Sequence, residues 1–316
     1  MSAYPSCRRP TPTATINSRV SNKFVVGIAV LDSRLFVARE DSQDLESYDV
    51  RSPDHSITSV LRIPEVQMIF NMASCDRKHC LYLSDFGRTA SGCVWSVRPP
   101  LDVETAVTTS TPPNVDLPRL VHAESFIADI GRPYGITVDV QDDRVLVVCE
   151  EPNSLRVHSS DGTSIVTVRL SEDELEAPRQ AIQFSTGLYA IIHGWLGRWN
   201  RLCLIDTSGN VLRTYGTTSG FAPTQIHWPA ALIVDGLGRM LIGDRENNRV
   251  HLVGRDFKLV RHIVTGSDGI ARPRRLALHP VDGTLYVGQV SPEVKAFQIA
   301  DTSNQQTDLN LQRNEG

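Results

Sequence analysis

No apolar run in the 316 residues approaches the ~20 positions that a membrane-spanning helix needs, so no helical span and no membrane partner are expected. Net charge of one sign is equally scarce. A formal charge of -4 gives no global pull toward DNA or an anionic lipid surface. The N-terminal MSAYPSCRRPTPT lacks the apolar core of a secretory leader, and a cytoplasmic protein is expected. Cysteine is present but not in the close pairs that zinc sites use. Cys75, His79, Cys80 and Cys93 offer the right donor types, yet C-x4-C is wider than the usual spacing, and a small buried hydrophobe is the simpler reading of each cysteine. A reducing compartment argues against a Cys75–Cys80 disulfide.

What is present is repetition. Residues 227–253, HWPAALIVDGLGRMLIGDRENNRVHLV, hold two short apolar runs around a glycine turn, then a polar cluster and an alternating run. With Lys258 to Val264 they make a four-stranded meander. Arg132 to Asp139, Arg144 to Glu150, Ser154 to His158 and the Ser160-Asp-Gly162 turn follow the same order. Units beginning near Ala177 and Arg272 follow it too, and blurrier ones begin near Phe24 and Pro64. Six units roughly 40 to 50 residues apart are expected to build an all-β fold, a six-bladed β-propeller of four-stranded antiparallel blades. One gap is longer, and Arg98 to Ser125, which contains TTSTPPNVDLP, reads as an inserted surface loop. The propeller spans 13–300, with Thr13 to Val20 completing the last blade, while 1–12 and 301–316 are polar and expected to be disordered.

The fifth unit carries a family resemblance. Pro229, Asp235, Gly238, Asp244, Asn248, Arg249 and Val250 resemble the NHL-repeat pattern. The region from about 24 to 300 is similar to six-bladed NHL-repeat propellers, as in the C-terminal domain of tripartite-motif proteins, without their RING and B-box parts. The other units depart from the pattern at the Asp244 position, carrying Arg39, Glu150, His193 and Gln289.

Two readings compete for the polar cluster at Asp244. Short polar side chains at a tight connection can bond the turn's own amides. Alternatively, Arg39, Asp85, Glu150, His193, Asp244 and Gln289 surround the channel mouth, where acids can bind a divalent cation as in lactonase-like or esterase-like propeller hydrolases. The residues following the inner-strand prolines, Tyr134, Arg179, Ala230 and Arg274, show no repeated His or Asn, and no Ser-His-Asp or paired-carboxylate set follows from spacing. No catalytic residue, metal ligand or cofactor is assigned on this basis.

A non-enzymatic recognition scaffold has more support. The loops leading into the inner strands and those after the second strands share one face. That face gathers Arg132, Tyr134, Arg179, Trp195, Arg198, Trp228, Arg245, Arg272, Arg274 and Arg275, residue types enriched in interface hot spots. Arginine beside exposed aromatic rings also suits single-stranded RNA. Asp85, Glu150, Glu151, Asp244 and Glu246 share the face, and mixed charge favours a protein or peptide over a phosphate backbone.

Overall fold

The strands assemble into six radial sheets, and the inner strand of each packs against the inner strand of the next until the ring closes. The computed structural model describes residues 10–18, 21–52, 55–85, 87, 92–100, 118–195 and 199–299. The inner strands of blades 1 to 6 are Val25–Leu31, Ile69–Cys75, Pro133–Asp139, Pro178–Ser185, Pro229–Val234 and Pro273–Leu278. The expected six-bladed β-propeller is therefore the fold.

Burial follows position within the blade. Second strands are covered on both faces by neighbouring blades, so Leu35, Phe36, Val37 and Ala38 are all solvent-free, and such strands read as unbroken apolar runs. The outermost strand of blade 3, Ser164–Arg169, alternates with water and is largely exposed. Interblade packing is continuous: Leu146, Val148 and Leu155 of blade 3 meet Ala181, Tyr189 and Ile191 of blade 4 in one apolar cluster.

Every inner strand carries an irregularity at its second residue, between Val25 and Gly27, Ile69 and Asn71, Pro133 and Gly135, Pro178 and Gln180, Pro229 and Ala231, and Pro273 and Arg275. Such a bulge re-aims a side chain at the end of a strand. The bulged residues are Val26, Phe70, Tyr134, Arg179, Ala230 and Arg274, one per blade around the channel. Tight packing here makes glycine obligatory in blade 3, where a Cβ on Gly135 would lie 2.0 Å from the Arg179 carbonyl oxygen.

Several expectations need correction. The closing strand is Thr11–Asn17 rather than Thr13 to Val20, and it pairs antiparallel with Glu293–Gln298, with Ile16 opposite Val294. Thr11 and Pro12 accordingly belong to the propeller; residues 1–9 and 301–316 lie outside the described residues. The Arg98 to Ser125 stretch is not wholly a loop. Ala123–Ile127 is the outermost strand of blade 2, and Arg119–Leu120 adds a short parallel strand to blade 1. Neither carries a strong periodic signal, and both are stabilised by pairing with partners distant in sequence. Residues 101–117 are outside the described set. The cysteine set does not converge: Cys75 faces Cys80 across a hairpin, whereas Cys93 pairs with Asp85 at the opposite end of that strand, about 17 Å away at ~3.3 Å per residue.

Candidate functional site

The polar residues that end the second strands are anchors. Asp244, completely buried, accepts from the His227 amide at 2.8 Å, Asn247 Nδ2 at 2.7 Å, Arg249 Nε at 2.9 Å and His251 Nε2 at 2.9 Å. Asp85 takes the amides of Gln67 and Met68, both at 2.9 Å, and the Trp95 indole N–H at 3.1 Å. Gln289 Oε1 accepts from the Ala271 amide. Arg39 is buried against Glu46 at 2.7 Å and donates to the Pro292 carbonyl at 2.5 Å. In blades 2, 5 and 6 the side chain holds the segment just before its own inner strand, which satisfies otherwise stranded backbone amides. Among the described residues no group of three or more His, Cys, Asp or Glu is placed to hold a metal ion.

His193 plays the same part in blade 4. Its Nδ1–H donates to the Glu176 carbonyl and its Nε2 accepts from Arg201 Nε, both at 3.3 Å. Burial, reinforced by the Arg201 charge, pulls its pKa down to about 4. The unfolded chain takes up this proton near pH 6.5, the folded chain not until about 4, so stability falls as pH drops through that window. The loss on acidification reaches about 3 kcal/mol. Urea unfolding at pH 7, 5.5 and 4 checks it: His193→Gln, which keeps a donor and an acceptor but cannot titrate, is expected to lose less stability than the wild type, and identical pH dependence would refute the assignment.

A second device joins consecutive blades. Asn200 Oδ1 accepts from the Trp228 amide at 3.0 Å, and Asn248 Oδ1 accepts from the Arg272 amide at 2.7 Å. Trp228 and Arg272 both precede an inner-strand proline and adopt left-handed φ values of 66° and 48°, a conformation that costs a non-glycine residue energy and persists only when held. Each asparagine is followed by an arginine, Arg201 or Arg249, that reaches the anchor of its own blade. The Asn-Arg pair thus orients the ends of two blades at once.

On these anchors rests a ladder of cations and rings. Phe70 and Tyr134, bulged residues of blades 2 and 3, have ring centroids 4.3 Å apart. The Arg179 guanidinium lies 4.3 Å from the Tyr134 centroid and 5.2 Å from that of Trp195. Trp195 and Trp228 are 5.4 Å apart, and Arg245 sits 3.7 Å from the Trp228 centroid. Cation–π contact of this kind is worth about 0.5–2 kcal/mol, more where water is excluded. The ladder runs over blades 2 to 5.

Nearly every arginine of this face has a carboxylate. Arg132 pairs with Glu151 at 2.8 Å, Arg179 with Glu150 at 3.3 Å, Arg245 with Glu246 at 3.5 Å, Arg272 with Glu246 at 3.1 Å and Arg274 with Glu40 at 3.3 Å. Burial pulls the Arg245 pKa below its ordinary range, opposed by Glu246, and burial raises that of Glu150 against the pull of Arg179 and Arg132. Arg179 is only 3% exposed, and its Nε and Nη2 make no hydrogen bond.

Of the sequence-predicted residues, the structure brings Tyr134, Arg179, Trp195, Trp228 and Arg245 into direct contact, with Arg132, Arg272 and Arg274 on the same face. Arg198 lies outside the described residues. Arg179 and Arg275 require correction: neither is presented on the face, Arg179 being buried against Tyr134 and Trp195 and Arg275 on the propeller axis. Two members were missed. Phe70 is absent from the sequence-predicted face, and Phe221, 72% exposed and 5.2 Å from the His227 ring, sits in a loop whose one signal is an aromatic among Gly, Pro and Thr.

The blade count, the closing strand and the ring of bulges together fix the architecture. It is a closed six-bladed β-propeller. A solved structure described as the WD40 β-propeller domain of Doa1 is similar over 93% of this chain and 98% of that one, with a TM-score of 0.58 and 13% sequence identity. No family model matches the sequence, and no curated protein matches it. As many as 1197 solved chains match the fold, so the likeness speaks for architecture and leaves function to the site.

Proposed function

We propose that the chain is a non-enzymatic recognition scaffold of the NHL-repeat kind that binds a protein or peptide through the arginine and aromatic face. The observation carrying this reading is the ladder Phe70, Tyr134, Arg179, Trp195, Trp228 and Arg245, in which Trp195 is exposed. Trp195 is 45% exposed and Phe221 72%, a costly arrangement for two large rings on one face unless something covers them. Rigid aromatic anchors supported from below are what hot spots use. Propellers commonly serve as protein-interaction domains, and the pairing of these arginines with Glu40, Glu150, Glu151 and Glu246 leaves little free positive charge for a phosphate backbone.

The test is a triple substitution, Trp195→Ala with Phe221→Ala and Arg272→Ala, each at an exposed position. Partner recovery on the immobilised protein is expected to fall at least 30-fold, corresponding to about 2 kcal/mol, while the melting temperature stays within a few degrees. Unchanged recovery would sink the proposal. A partner that is RNA would show itself by affinity falling log-linearly and steeply with salt.

A further inference from the structure

Arg275 closes the channel. Its Nε donates to the Val26 carbonyl at 2.6 Å, its Nη1 to those of Ala230 at 3.2 Å and Arg274 at 2.9 Å, and its Nη2 to that of Phe70 at 2.8 Å. These acceptors are the bulged residues of blades 1, 5, 6 and 2, so one guanidinium spans the axis. Gln180 completes the partition. Its Nε2 donates to the Ile136 carbonyl and to Thr137 Oγ1, and its Oε1 accepts from the Leu232 amide, joining blades 3 and 5.

On the other side of this partition lies a cavity of about 720 Å³ between the inner strands, leading to the face opposite the aromatic ladder. Its walls mix apolar residues, among them Ala29, Ala73, Val138 and Leu278 from four blades, with polar ones, among them Thr137, Gln180 and Gln183. Val140 and Val234, 46% and 41% exposed, stand at its mouth. Arg275 and Asn71 line its inner end.

The electrostatics of that inner end are incomplete. Five N–H groups belong to a guanidinium, and Arg275 commits four, all to neutral carbonyls. Among the described residues it has no carboxylate partner, although its neighbours Arg179, Arg245 and Arg274 each have one. Buried charges are ordinarily paired, because leaving one alone forfeits several kcal/mol of solvation. Burial and the adjacent Arg274 charge draw the Arg275 pKa below the arginine range, as expected of a cation lacking a counter-charge. Asn71 is buried too; its Oδ1 accepts from the Met72 amide, and its amide nitrogen is the donor end of the side chain.

We propose that this cavity is a binding site for a monocarboxylate with an aliphatic body, whose carboxylate meets the free N–H of Arg275 and the amide of Asn71. One cation at the inner end matches one negative charge. Asp76, Asp139, Asp142 and Asp235 line the same cavity together with Arg255; this acidic lining weighs against every anion, dianions such as phosphate most, and favours a carboxylate whose far end carries an ammonium group. The wall from Gln180 to Ser185 runs about 17 Å at ~3.3 Å per residue, enough for an extended eight-carbon chain.

The test uses the full chain in calorimetric titrations with octanoate, 8-aminooctanoate and octanamide. Octanoate is expected to bind saturably at one site, octanamide at least tenfold more weakly, and 8-aminooctanoate more tightly than octanoate. Arg275→Gln should abolish the preference for octanoate over octanamide. Because Arg275 also ties four blades together, a second variant guards against misfolding: Val140→Trp with Val234→Trp changes only exposed mouth residues and should weaken octanoate at least tenfold with the melting temperature preserved. Equal binding of octanoate and octanamide, absence of binding by all three, or undiminished octanoate binding by the folded mouth variant would each overturn the proposal. The aromatic face takes no part in these titrations, so their outcome is separate from that of partner capture.

Discussion

A chain lacking residues 1–17 is expected to melt about 10 °C or more below the intact protein. The Thr11–Asn17 strand supplies the outer edge of blade 6, the one blade assembled from both ends of the described chain. Ile16, 3% exposed, packs in a cluster with Val294, Ala296 and Tyr286, and its burial alone is worth roughly 2–3 kcal/mol. The pairing with Glu293–Gln298 adds ladder hydrogen bonds at about 0.5–1.5 kcal/mol net each. A total near 5 kcal/mol, at about 2–4 °C per kcal/mol for a domain of this size, gives the expected shift. Removing the strand also bares a long unpaired edge, so aggregation on heating should increase. A synthetic peptide of residues 10–18 added in trans should restore part of the lost melting temperature. Melting within 2 °C of the intact chain would show that the ring does not depend on this closure.

Asp244→Ala is expected to cost about 3–5 kcal/mol in urea unfolding, the penalty for removing one partner of a buried ionic and hydrogen-bonded group. Arg249 would keep its bonds to the Ala222 and Gln225 carbonyls but lose its counter-charge, while the buried His251 and the His227 amide would lose their acceptor. The segment before Trp228 is held largely by these contacts, so proteolysis within 216–228 should accelerate as well. This outcome contrasts with that of the exposed-ring substitutions, which weaken capture and spare stability. If Asp244→Ala left stability within 1 kcal/mol of the wild type while abolishing partner capture, Asp244 would be a binding residue rather than an anchor.

Particular residues show how much was legible in advance. The apolar run Arg144 to Cys149 and its counterparts announced the second strands, because a strand covered on both faces tolerates little else. Proline before an inner strand and glycine in the hairpin announced where blades begin and turn. The face holding Tyr134, Trp195 and Trp228 followed from the same order of elements, since residues at equivalent positions of successive blades emerge together. Phe70 escaped notice because a bulge, not periodicity, aims it at Tyr134, and a bulge leaves no distinctive mark in composition. Arg119 to Ile127 escaped because short edge strands depend on the partner that pairs with them.

By itself the sequence determined the fold class, the number of blades and which end of the blades carries arginine and aromatic residues, all properties set by local pattern repeated along the chain. Tertiary structure alone decided what those residues do. Arg274 and Arg275 are adjacent and chemically identical, yet one pairs with Glu40 at the rim and the other is buried on the axis among carbonyls of four blades. Asp244, read from sequence as either anchor or ion ligand, became an anchor because His227, Asn247, Arg249 and His251 converge on its two oxygens. The physical reason is the same in both cases: the charge of a side chain is written in its own residue, but its solvation and partners come from segments brought together only when the ring closes.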